Sequence, residues 1–329
     1  MRVLIPFPSL RAHGGTRVAV EVANQLATRG HKVLFYVLKK DGDQRYWRWH
    51  SRVQVIYSKP SHYDVVFITS PHSIHLAEQG RTVMHLQMLE HMFAPDNDHW
   101  RNICEHMYRY DAPLFTISQW NQRELINTFG RKVENTHYIG NGVSEDDFPR
   151  EITSKPAGPK IVLVEGWASY NQCKDTDRLA PRVAERLKQD GYKIVSYGLC
   201  PLTDFQHVPD EYHQCPKLRK INELYSQATI LLKASRYDAR SCSPVEAMTK
   251  GTPTARALVE GDDDLLDYYN CLRTPYDEQP LYEAATRLLE DDTLRQSLSN
   301  FGFTHLNNEC SWPKWINLIE AKLKEVARK

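Results

Sequence analysis

A chain of 329 residues, 41% hydrophobic and 25% charged, has the balance of a globular protein and room for two domains of ordinary size. No apolar run approaches the length of a membrane span, and a formal net charge of +1 excludes a global field that would recruit nucleic acid or anionic membrane. Seven scattered cysteines without metal-ligand spacing point to reduced thiols, hence to a cytoplasmic protein.

The opening, Met1-Arg2-Val3-Leu4-Ile5-Pro6, is too short for a signal peptide and reads as a first strand. A loop containing His13-Gly14-Gly15 follows. Val18, Val22 and Leu26 recur at four-residue spacing and predict a helix that Arg29-Gly30 closes; a strand follows over 32–37. This is a βαβ unit with a glycine pair ahead of its helix. Residues 44–55 interleave aromatic and basic side chains: Arg45, Tyr46, Trp47, Arg48, Trp49, His50 and Arg52. Such a pattern stacks on bases or on sugar rings, or is a surface unit without a ligand. Further strands are predicted over 53–57, 64–69 and 82–87. Ser70-Pro71-His72 closes the second of these, on the side where α/β proteins bind ligands. His85, Gln87, Glu90 and His91 gather around the end of the third, where polar groups line clefts more often than cores. A helix carrying Trp100, Ile103, Met107 and Tyr110 comes next. A strand over 113–118 leads into a helix with Ser118 as N-cap. A strand over 136–143 ends in Asn141-Gly142, a turn whose residues tolerate positive φ.

Residues 151–160 contain Ser154, Pro156, Gly158 and Pro159, a linker composition. Strand (160–164), helix (Leu179, Val183, Leu187) and strand (193–198) then recur, predicting a second doubly wound α/β domain. Glu165-Gly166-Trp167 and a polar loop through Lys174 join its first strand to its helix. The most informative stretch is 235–253. A short apolar segment, 228–232, precedes it as a buried parallel strand would. Val245-Glu246-Ala247-Met248 is helix material that stops at Gly251-Thr252-Pro253. A loop from a strand end into a helix start offers free N–H groups and the positive end of a dipole. Ala239, Ser241, Cys242 and Ser243 are small, so a ligand can approach the main chain. Phosphates and sugar hydroxyls suit that setting, with Asp238 and Glu246 accepting from hydroxyls; solvated acids at a plain helix start are the alternative. Gly261-Asp262-Asp263-Asp264 predicts a helix with acids in its first turn, followed by helices over 281–289 and 293–303. A last helix, 314–326, places Trp315, Ile316, Ile319 and Leu323 on one face.

The 235–253 stretch resembles the signature of retaining GT-B glycosyltransferases of the family 4 type: an acidic residue, seven residues, Glu, then Ala-Met and Gly-Thr-Pro. Asp238 takes the first acidic place and Glu246 the second. The resemblance extends through Gly14-Gly15, Arg17, Glu21, Leu26, Gly30-His31 and Val33, and through Asn141-Gly142-Val143 with Phe148. It departs where Asp238 replaces the usual Glu, where Ala239-Arg240-Ser241 replaces Gly-Phe-Gly, where Trp167-Ala168 stand in place of an Arg, and where Asp175 replaces a glycine after Lys174. The resemblance implies an α/β architecture of two Rossmann-like, doubly wound domains facing across a cleft. The first, 1–153, would bind the acceptor and the second, 154–308, the nucleotide-sugar donor, with a terminal helix, 309–329, crossing back to the first. It implies that Glu246 holds the donor ribose, that Asp238 faces the sugar, and that Lys174 neutralises the diphosphate with help from Arg178, Arg236 or Arg240. Gly14, Gly15, Gly166, Arg240, Ser241, Cys242 and Ser243 would complete the donor site. His85 joins Asp238 and Lys174 as a catalytic candidate, and His13, Gln87 and Glu90 would meet the acceptor. The implied reaction moves a sugar from a UDP-, GDP- or ADP-sugar to a hydroxyl with retention and without an obligate metal or other cofactor. Two other readings stand beside it. One is a transferase acting on modified nucleic acid bases, motivated by the aromatic-basic stretch. The other is a non-catalytic carbohydrate-binding protein, motivated by Asp238 and the missing Arg.

Overall fold

The computed structural model describes residues 1–155, 158–165, 175, 178–199, 201–202, 208–261, 263, 267 and 269–328. The chain divides into two compact units, Met1–Gly142 with Ser311–Lys329, and Val143–Cys310. In the first, β1 (Arg2–Phe7), α1 (Gly14–Thr28), β2 (Lys32–Val37), β3 (Val53–Ile56), β4 (Val65–Ile68), β5 (Thr82–Leu86), α2 (Asp98–Arg109), β6 (Leu114–Thr116), α3 (Gln119–Asn127) and β7 (Thr136–Tyr138) follow in order. The second holds β8 (Ile161–Glu165), α4 (Leu179–Gln189), β9 (Lys193–Gly198), β10 (Glu211–Gln214), α5 (Leu218–Gln227), β11 (Ile230–Asp238), α6 (Cys242–Met248), β12 (Thr254–Gly261), β13 (Cys271–Thr274), α7 (Glu278–Glu290) and α8 (Asp292–Glu309). The last helix, α9 (Trp312–Ala327), returns to the first unit.

Among the described residues the first sheet runs β3-β2-β1-β4-β5-β6-β7 and the second β10-β9-β8-β11-β12-β13, every pair parallel. Strand order reverses between β1 and β4 in one sheet and between β8 and β11 in the other. Ligands of doubly wound sheets bind at the carboxyl ends of strands beside such a reversal. The central strands are buried residue after residue, because helices cover both faces. In the second unit α4 and α7 lie over one face, where Val162, Val164, Ile194, Leu232, Ala255 and Leu272 join Val183, Leu187, Leu281 and Leu288 in one apolar cluster.

Caps and close packing explain several boundaries. Ser118 caps α3, its Oγ accepting from the Asn121 N–H at 3.0 Å. Helix α9 buries Ile316, Ile319 and Leu323 and ties its polar side to the end of α1: His31 Nε2 lies 2.9 Å from Glu320 Oε1, and Arg29 Nη2 donates to Asn317 Oδ1 at 3.1 Å. Gly142 does not use positive φ. Glycine is required there because the Trp312 ring and backbone occupy the space a Cβ would take. Gly261 closes β12 with φ +95° against the Asp238 carbonyl instead of opening a helix, while Asp262 and Asp264 lie outside the described residues. The sequence pattern predicts no strand at β10, β12 or β13: Glu211-Tyr212-His213-Gln214 is polar, Arg256 interrupts the apolar run of β12, and Cys271-Leu272-Arg273-Thr274 is short and carries Arg273.

The tryptophans of the aromatic-basic stretch pack inward, while Arg45, Arg48 and Arg52 stay exposed. Trp47 is buried and donates from Nε1 to Leu10 O at 3.0 Å, pinning the loop ahead of α1. Trp49 sets its ring edge-on to Phe35 with centroids 5.1 Å apart, and Arg45 pairs with Asp43. His85 is likewise a core residue. It is 0% exposed in β5, stacks on Phe67 at 5.8 Å, and its ring nitrogens have no hydrogen-bond partner among the described residues. A group so enclosed touches no substrate, so its assignment as a catalytic residue is corrected.

Burial lowers the His85 pKa to about 4. The unfolded chain binds this proton below pH 6.5 and the folded chain only near 4. Stability present above pH 6.5 is therefore lost as pH falls towards 4, by about 3 kcal/mol in all. Denaturant midpoints followed from pH 7 to pH 4.5 are expected to fall less steeply in His85→Phe than in the wild type. Separately, Gly142→Ala forces a methyl into Trp312; the expected loss is about 1–3 kcal/mol, read as a lower midpoint at unchanged slope.

Candidate functional site

The second sheet places four polar residues at one level. Register pairs Tyr197 with Glu165, Glu165's neighbour across β11 is Lys233, and Lys233 pairs with Arg256. In a parallel sheet residues at one level point to the same face, and here that face is the one opposite α4 and α7. Lys233 Nζ donates to Glu165 Oε2 and, at 2.9 Å, to Ser243 Oγ; Ser243 Oγ donates to Glu165 Oε2 at 2.7 Å. Asp238 Oδ2 lies 3.5 Å from Arg256 Nη2 and 4.0 Å from Lys233 Nζ, and accepts from Ser241 Oγ. Two carboxylates and two cations thus neutralise one another where an isolated charge would cost several kcal/mol.

Helix α6 brings Glu246 to the same face. Its carboxylate is buried and accepts from Tyr225 Oη at 3.2 Å, and Tyr225 Oη lies 2.7 Å from Tyr197 Oη. A chain of hydroxyls therefore runs from the end of β9 to Glu246. Ser241 and Ser243 are buried in the network, while Cys242, the first residue of α6, is partly exposed. Arg240 is a correction to the donor-binding set. It is 4% exposed and turns away, its Nη2 donating to Cys310 Sγ at 3.0 Å beyond the end of α8.

Lys174 and Gly166 lie outside the described residues. The start of α4 is described, and its donors are already used. Asp175 accepts from Leu179 N at 2.8 Å and Ala180 N at 3.1 Å, with Tyr276 Oη donating to it at 2.6 Å. Desolvation raises the Asp175 pKa against the pull of these bonds. Arg178 is the residue before α4, at φ +53°, and the Arg236 guanidinium stacks 4.8 Å from the Tyr276 ring. Lys233 and Arg256, with Tyr225 and Tyr197, are site residues that sequence reasoning missed. The signal was present: a charge inside a buried strand, as in Leu232-Lys233-Ala234 and Ala255-Arg256-Ala257, is retained only where it has a partner.

In the first unit, the edge formed by the carboxyl ends of β1 and β5 brings together His13, Gly14, Gly15 and Gln87. His13 caps α1, accepting from Thr16 N at 3.2 Å. Gly14 and Gly15 open that helix, and Gln87 Nε2 donates to Gly15 O at 3.1 Å. A Cβ on Gly15 would stand 3.2 Å from His13 Nδ1, tight enough to press on the ring, and 3.6 Å from Gln87 Oε1, an ordinary contact. Glu90 opens a short 3₁₀ turn and keeps part of its surface in solvent, yet desolvation pushes its carboxyl up to about 8. Trp100 Nε1 donates to the Glu90 carbonyl at 3.0 Å, and the His72 ring lies 4.4 Å from Trp100.

No family model and no curated protein matches this chain. Solved structures do. Sucrose-phosphate synthase from Thermosynechococcus elongatus is similar with a TM-score of 0.80 at 13% identity, over 99% of this chain and 98% of that one. Anabaena HepE, solved with UDP-glucose, is similar with a TM-score of 0.74 at 13% identity, over 99% and 100%. WaaG, a glycosyltransferase involved in lipopolysaccharide biosynthesis, is similar with a TM-score of 0.73 at 14% identity, over 98% and 99%. At such identities the likeness is one of architecture, and the architecture is the GT-B fold.

Proposed function

We propose that the chain is a glycosyltransferase that moves a sugar from a nucleotide-sugar donor to a hydroxyl acceptor with retention at the anomeric carbon. The observation that carries this reading is the buried pair Asp238 and Glu246, held at the carboxyl edge of a parallel sheet beside its strand-order reversal, in a chain of GT-B fold. The UDP-glucose bound by HepE supports the donor class.

On this reading Val143–Cys310 is the donor unit and Met1–Gly142 the acceptor unit. Glu246 accepts from the ribose hydroxyls while Tyr225 and Tyr197 orient it. Asp238 holds the loop from Ala239 to Ser243 against the sugar. Lys174 opposes the charge that builds on the diphosphate as the glycosidic bond breaks. The departing phosphate oxygen takes the acceptor's proton, so no protein base and no metal enter the scheme. His13, Gly14, Gly15 and Gln87 are the acceptor candidates at the carboxyl edge of the first sheet. Glu90 stands on the turn after β5, its carboxyl pushed up to about 8 by desolvation, and is the remaining acceptor candidate. Among the described residues no helix is long and apolar enough to cross a membrane, and the cytoplasm is the proposed compartment.

Thermal unfolding with UDP, GDP, ADP and their sugars tests the reading. A ligand at a hundred times its Kd stabilises the folded state by about 2.7 kcal/mol, so one base series is expected to raise the Tm. Glu246→Ala is expected to weaken that series roughly tenfold to a hundredfold, the worth of charge-assisted hydrogen bonds, and to abolish sugar transfer. A wild-type protein indifferent to every member of the panel rejects the reading.

A further inference from the structure

Glu165, the last residue of β8, has no part in the scheme above. Its position sets it apart. The side chains of Asp238 and Lys233 are each 6% exposed and that of Arg256 is 0% exposed, whereas Glu165 exposes 30%. Of the charged residues at this level of the sheet, Glu165 is therefore the one that reaches solvent. It does so on the strand next to the order reversal, where doubly wound sheets bind their ligands. Its direction is also set. Oε2 accepts from both Lys233 Nζ and Ser243 Oγ, so the side chain has already lost the rotamer freedom that makes a surface glutamate a weak binder. The ammonium that holds it is buried and is itself fixed by Ser243 and Asp238.

We propose that Glu165 contacts the donor sugar and that Lys233 is the positioning residue that aims it. This assignment rests on the transferase reading and narrows the donor. A carboxylate only accepts hydrogen bonds, and it matches a pair of neighbouring hydroxyls that each donate. It repels a sugar bearing its own carboxylate at that place. The donor class is a neutral sugar with two neighbouring free hydroxyls and not a uronic acid.

Calorimetric titration separates this assignment from the reading beneath it. Wild type, Glu165→Gln, Lys233→Met and the double variant are titrated with UDP, GDP and ADP, and with UDP-glucose, GDP-mannose, ADP-glucose and UDP-glucuronate. In Glu165→Gln the diphosphate affinity is expected to stay within about twofold of wild type, while the ratio of neutral nucleotide-sugar to diphosphate affinity falls roughly tenfold or more. Lys233→Met is expected to lower the same ratio, and the double variant no further, because the lysine acts through Glu165. Glu165→Gln removes one of the two carboxylates that compensate the buried Lys233, so its Tm is expected to fall, and every titration is run at a temperature where each variant is folded. An unchanged ratio in Glu165→Gln overturns the assignment while leaving the transferase reading intact, as does tighter binding of UDP-glucuronate than of UDP-glucose. Failure of wild type to bind any diphosphate overturns the transferase reading and this assignment together.

Discussion

The level shared by Tyr197, Glu165, Lys233 and Arg256 is the constraint on which the second unit depends. Four neighbouring strands each contribute one polar residue to the same face at the same height. The two cations are buried there and are compensated by Glu165 and Asp238. A one-residue slip of β11 would turn Lys233 into the apolar layer of Val162, Val164 and Ala255 beneath α4 and α7, and would carry Leu232 to the polar side. Sheet register and site geometry are therefore a single requirement. Helices α5 and α6 complete it by laying Tyr225, Ser243 and Glu246 over the same face.

The two units share a topology and differ in chemistry. The carboxyl edge of the second sheet is a neutralised network of full charges, with Ser241 bonded to Asp238, Ser243 to Glu165, and Tyr225 to Tyr197 and Glu246. The edge of the first sheet is built from neutral groups: the His13 cap, the Gly15 carbonyl held by Gln87, and a Glu90 carboxyl that desolvation keeps protonated up to about pH 8. Networks of full charge hold a fixed geometry at the cost of strong coupling among their members. Neutral edges leave donors and acceptors whose loss is milder. Asp175 adds a contrast of its own, because it fills from within the chain the helix-start donors that often meet an anion.

Local pattern alone determined much of this protein. Apolar runs marked β1, β4, β5, β8 and the first half of β11, four-residue spacing marked α1 and α4, and Ser118 announced its helix by its own hydroxyl. The eight-residue interval between Asp238 and Glu246 placed both acids on one strand–loop–helix unit, which is what the structure contains. These features depend on residues close together in the chain, and strand and helix periods report them directly. Tertiary structure decided the rest, since partners far apart in sequence leave no periodic trace. Lys233 finds Glu165 at a separation of 68 residues, Arg240 finds Cys310 at 70, and Gly142 is glycine because Trp312 returns to meet it. His85 and Trp47 look like ligand-binding residues by type and are core residues by position, while the half-buried Trp49 packs on Phe35. Which side of a sheet a charge faces, and what waits there to neutralise it, is set by register and by the helices packed above, and neither is a property of any single segment.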